Sequence, residues 1–138
     1  MKIFLDANIL VSVLNKEYPL FTYSARLLSL AGNSKFQVFT SPICVAIAFY
    51  FAEKKCGQSE AKNKISLLAS KIKIAEADES IVRKAAQDKA ASDFEDGLEY
   101  YSALKAGCKW IITEDLNDFY FSKLAVMTAR QFLEAHVF

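Results

Sequence analysis

Short apolar runs alternate along the chain with longer segments whose apolar residues recur every three or four positions. The runs are strand candidates and the spaced segments are helix candidates. Lys2 to Leu5 reads as a short buried strand, and Asn8 to Leu14 as a short helix. After the break at Tyr18-Pro19, Thr22 to Ala31 has helical spacing through Ala25, Leu27, Leu28 and Leu30, and Gly32-Asn33 ends it. Phe36 to Phe39 is a second strand. Ser41-Pro42 opens an apolar helix to Lys55, with Pro at the first turn, where its missing N–H costs nothing.

Ser59-Glu60 begins a helix to about Lys71, and Ile72 to Ala75 forms a third short strand. Asp78 caps a helix from Glu79 to about Ala90, with Ile81, Val82, Ala85 and Ala86 on one face. Ser92 or Asp93 caps the next helix, which reaches Ala106 and stops at Gly107. Lys109 to Thr113 and Leu124 to Met127 are the last strands. Thr128 caps a closing helix through Ala135. Strands separated by helices predict an α/β fold, a three-layer α/β/α sandwich around a central parallel sheet, in one domain over residues 1–138.

Composition narrows the function classes. A chain of 138 residues with 53% hydrophobic and 24% charged residues can bury a real core, which argues against intrinsic disorder. The net charge of +1 excludes a strongly basic coat, so any nucleic-acid contact must be local. Cys44, Cys56 and Cys108 form no CxxC pair and read as free thiols of a reducing compartment. No apolar run approaches the roughly 20 residues of a membrane span. The opening residues are too short and too acidic for a signal peptide, so a cytoplasmic location and no membrane contact are expected.

The candidate chemistry lies in three acidic clusters. Asp6 closes the run Ile3-Phe4-Leu5; Asp93-Phe94-Glu95-Asp96 opens a helix; Glu114-Asp115 and Asp118 follow the strand Trp110-Ile111-Ile112-Thr113. Ligands bind beyond the C-terminal ends of strands in parallel α/β sheets. Carboxylates that converge there repel one another unless a cation lies between them. Asp6, Asp96 and Asp115 are the candidate catalytic acids, and with Asp118 the candidate metal ligands. Asp118 equally suits a local cap. Asn8 is a turn residue that can orient Asp6, Thr113 offers a hydroxyl at a strand end, and Asp93 is a capping candidate. Gly97 is read as leaving room for a ligand beside Asp96, and Glu95 as solvated. An all-oxygen donor set suits Mg²⁺ or Mn²⁺. The lone histidine, His136, lies two residues from the C-terminus and makes a poor general base, so any hydrolysis here would have to be metal-driven rather than rely on a histidine triad.

At these residues the chain resembles the PIN domain family of metal-dependent ribonucleases. The resemblance rests on Ile3-Phe4-Leu5-Asp6-Ala7-Asn8, on Asp93 to Leu104, and on Trp110 to Phe119, in that order. It implies strand order 3-2-1-4-5, Mg²⁺ or Mn²⁺ as cofactor, and cleavage of RNA. It also implies the toxin of a toxin–antitoxin pair, homodimeric and held by a small antitoxin protein. One departure stands out: the family's second acid, expected near Ile47, has no polar counterpart between Cys44 and Tyr50. That departure keeps open a PIN-like module that acts by binding RNA or a protein instead of cutting. A receiver domain lacks its late-strand lysine here, and Asp6-Ala7-Asn8 breaks the Asp-x-Asp of a haloacid-dehalogenase-like phosphatase. Lys54, Lys55, Lys62, Lys64, Lys71 and Lys73 form a mid-chain basic cluster, read as a solvated face or a phosphate-tracking patch. The helical aromatics Phe49, Tyr50, Phe51, Tyr100 and Tyr101 read as core or dimer interface.

Overall fold

Five strands form one sheet in the order β3-β2-β1-β4-β5, and every neighbouring pair is parallel. This computed structural model describes all residues 1–138. The strands are β1 (Lys2–Leu5), β2 (Gln37–Thr40), β3 (Lys73–Ile74), β4 (Trp110–Ile112) and β5 (Ala125–Met127). Seven helices surround them: α1 (Ala7–Leu14), α2 (Leu20–Ser29), α3 (Pro42–Cys56), α4 (Gln58–Lys71), α5 (Glu79–Gln87), α6 (Phe94–Lys105) and α7 (Ala129–His136).

β1 is the central strand because it is apolar on both faces. Ile3, Phe4 and Leu5 are all fully buried, as expected of a parallel strand covered by helices on either side. β2 and β4 flank it in register, with Leu5 opposite Ile112. Asp6 donates its backbone N–H to the Ile112 carbonyl at 3.0 Å, which carries the pairing one residue beyond the strand. The strand ends of β1 and β4 therefore open side by side, and the residues that follow them become neighbours.

The element boundaries refine the sequence reading. α2 begins at Leu20 rather than Thr22 and gives way to a 3-10 turn over Leu30–Gly32. α5 stops at Gln87 rather than near Ala90, because Asp88 turns the chain by accepting the N–H groups of Ala90 and Ala91 on one carboxylate oxygen. β3 is only two residues long. The mid-chain lysines also have defined roles. Lys55 and Lys64 donate to the carbonyls of Asn15 and Leu14, closing the C-terminal end of α1. Lys54 lies over the Tyr50 ring at 4.4 Å.

Candidate metal centre

The site begins with the turn between β1 and α1. Asp6 takes an extended conformation as N-cap of α1 and accepts the Ala7 N–H at 2.6 Å through Oδ1. Its other oxygen, Oδ2, accepts the Thr113 hydroxyl at 2.7 Å. Thr113 follows β4 directly and is fully buried, so the adjacent strand ends place this bond. Asp6 thus caps α1 through one oxygen and ties the end of β4 through the other.

Asn8 joins the two strand ends. Its amide nitrogen lies 3.1 Å from Thr113 Oγ1, 3.1 Å from Asp115 Oδ2 and 3.5 Å from Asp6 Oδ2. Its carbonyl oxygen accepts the Glu114 N–H at 3.3 Å. Thr113 Oγ1 in turn accepts the Asp115 N–H at 3.0 Å. Asp115 is thereby held beside Asp6 although it is 109 positions away in the chain. Beyond it, Leu116–Phe119 makes a 3-10 turn anchored by the buried ring of Phe119, which presents Asp118 to the same cleft.

α6 supplies the facing wall. Asp93 is its N-cap and accepts the Asp96 N–H at 3.0 Å, so Asp93 is structural as well as acidic. Asp96 sits one turn inside and lines the cleft. Burial, with the charges of Asp93, Asp118 and Asp6 beside it, pushes its carboxyl up to about 7. Burial and the charges of Asp115 and Asp6 raise Asp118 as well. Glu95 is exposed, in keeping with its reading as solvated, and also lines the cleft. Gly97 is a correction. A Cβ there would meet the Ala85 Cβ at 3.2 Å, so the glycine lets α5 pack closely on α6 rather than admitting a ligand.

Sequence reasoning missed Glu99. It lies three residues after Asp96, on the same face of α6, and is only 2% exposed. Burial, then its hydrogen bond to Asp6 and the Asp6 charge, push its carboxyl up to about 11. The Cys44 thiol, from the first turn of α3, donates to Glu99 Oε1 at 3.0 Å. Burial, then the charges of Glu99 and Asp6, hold that thiol well above its ordinary range, so it remains a donor. One ligand atom from each of Asp6, Cys44 and Glu99 falls within a 4.8 Å group. The spacing of Glu99 from Asp96 was the available signal, masked by its position between Leu98 and Tyr100 in an apolar stretch.

The result is an open cleft of about 460 Å³ lined by seven carboxylates, those of Asp6, Glu17, Glu95, Asp96, Glu99, Asp115 and Asp118. No lysine, arginine or histidine lines it, and the four ion pairs of the protein lie elsewhere. His136 packs instead on Trp110 and Phe132, at ring distances of 5.1 and 4.8 Å. Trp110 begins β4, whereas the cleft lies beyond that strand's other end. This donor set fits a hard divalent cation, since oxygen ligands with uncompensated negative charge are what such ions bind.

Residues 2–117 match the family model described as PIN domain. The chain belongs to the PIN domain family. Among curated relatives, ribonuclease VapC1 of Aquifex aeolicus (strain VF5) is 29% identical over 137 residues, covering 96% of this chain and 94% of that protein. Two solved structures share the PIN architecture at lower identity. VapBC-1 from nontypeable Haemophilus influenzae superposes with a TM-score of 0.69 at 19% identity, covering 94% of this chain and 99% of that one. VapBC2 from Rickettsia felis, bound to a DNA fragment from its promoter, gives 0.67 at 18% identity, covering 92% and 97%. The strand order 3-2-1-4-5 expected from the resemblance is the order observed.

Proposed function

We propose that this PIN domain is a metal-dependent endoribonuclease and the toxin of a toxin–antitoxin pair. The observation that carries the reading is the cation-free cleft of seven carboxylates built around the Asp6–Asn8–Thr113–Asp115 bonds. Asp6, Asp96 and Asp115 would hold Mg²⁺ or Mn²⁺, with Asp118 as a further ligand. A bound divalent ion supplies an activated water and neutralises charge on the scissile phosphodiester. The chain's own residues do the positioning. Thr113 and Asn8 fix the orientation of Asp6 and Asp115, and Asp93 fixes the first turn that carries Asp96. The similarity to a curated ribonuclease over almost the whole chain supports RNA as substrate.

The solved VapBC structures support an antitoxin as protein partner. Exposed Tyr50 and Phe51 on α3 offer apolar surface for a second copy of the chain, consistent with a homodimer. No helix is long and apolar enough to cross a membrane, and an RNA substrate accords with a cytoplasmic location. One observation favours a second reading, a PIN module that binds without cutting: Ile47 lines the cleft where an acid was expected.

Purified protein incubated with a mixed RNA pool and Mn²⁺, beside Asp6→Asn, separates the two. Cleavage by the wild type alone supports the nuclease. Identical RNA profiles for both proteins would leave only the binding module.

A further inference from the structure

We propose that Glu99, on α6, takes the place of the acid missing from α3 and is a metal ligand of this PIN domain. The inference deepens the metal reading above and rests on it. Three observations carry it. Ile47 and Glu99 line the same cleft from two helices packed on one another, so an acid on either one addresses the same space. Glu99 shares a ligand-atom group with Asp6, the residue that anchors the centre. Its side chain is almost completely buried, yet apart from Asp6 its one hydrogen-bond partner is the Cys44 thiol. No cation, amide or alcohol hydroxyl compensates it.

A buried carboxylate without a positive partner is costly. A divalent ion beside Asp6 would remove that cost and use the group as a donor. Cys44 and Ser41 then act as positioning residues. Ser41 Oγ accepts the Cys44 N–H at 3.3 Å as N-cap of α3 and lies 3.3 Å from Cys44 Sγ, which aims the thiol at Glu99 Oε1. The carboxylate expected on α3 is then supplied from α6 instead. This accounts for an apolar Ile47 in a cleft otherwise rich in carboxylates.

The test is Mn²⁺ binding to EDTA-stripped protein, followed by the loss of the free-ion electron paramagnetic resonance signal. Wild type, Glu99→Gln, Asp96→Asn and the double variant Ile47→Glu/Glu99→Gln are compared, with circular dichroism to confirm folding. Glu99→Gln keeps the shape and should weaken Mn²⁺ binding at least about tenfold. Ile47→Glu/Glu99→Gln should recover most of that loss, because it returns the acid to α3. Glu99→Gln binding as tightly as wild type while Asp96→Asn binds weakly would overturn the role of Glu99 and leave the metal reading standing. Wild type without measurable Mn²⁺ binding would overturn both. Should Glu99→Gln unfold, Cys44→Ala supplies the second arm: a weaker Mn²⁺ isotherm supports the proposal, and an unchanged one contradicts it.

Discussion

Asn8 is a short amide that touches both strand ends of the cleft, reaching Thr113, Asp115 and the Glu114 N–H at once. Removing it leaves the core intact but frees Asp115 from Asp6. Asn8→Ala should therefore weaken Mn²⁺ binding by about tenfold, with far-ultraviolet circular dichroism unchanged; titration calorimetry checks it. Asp96 and Glu99 give the metal-free protein a defined pH dependence. Both titrate higher in the fold than in the unfolded chain: Asp96 moves from 3.8 to about 7, and Glu99 from 4.5 to about 11. Above about pH 4 the native state therefore holds more protons than the unfolded state, and stability falls as pH rises. The Asp96 share is lost by about pH 7, whereas the Glu99 share continues to fall beyond it. In EDTA the melting temperature should be higher at pH 5.5 than at pH 8, and Glu99→Gln should flatten that difference.

At the scale of elements, the sheet was legible because its central strands β1 and β4 are short apolar runs closed by a polar residue. Leu5-Asp6 and Ile112-Thr113 mark the two adjacent strand ends directly. Asp6, Asp96 and Asp115 were legible as acids at element ends, as were the caps at Asp78, Asp93 and Thr128. What escaped depends on contacts between distant elements. Glu99 meets Cys44 across 55 positions, and neither residue signals the other locally. Gly97 looked like space for a ligand because its neighbour Ala85 lies on another helix. The α5–α6 contact predicts that Gly97→Val destabilises the fold by about 1–3 kcal/mol through overpacking, measured by urea denaturation. The β4–β5 connection carries one buried ring, Phe119. Phe119→Ala should cost about 3–5 kcal/mol and also weaken Mn²⁺ binding, because the turn carrying Asp118 loses its anchor.

Over the whole molecule, a net charge of +1 conceals a strong local asymmetry. The cleft holds seven carboxylates and no base, so without a cation it repels a phosphate backbone. Two lysines of the basic mid-chain segment are spent on the end of α1 rather than on the cleft rim; under the proposed function, a bound divalent ion would offset the repulsion between the cleft and RNA. The fold opens β1 and β4 side by side, and the proposed metal centre occupies the acidic cleft beyond their ends. Anomalous scattering from crystals soaked in Mn²⁺ tests that claim most directly. The account predicts a manganese peak in contact with Asp6 and Asp96 at the C-terminal ends of β1 and β4. A cleft free of anomalous density at millimolar Mn²⁺, or a peak seated only elsewhere on the surface, would contradict it.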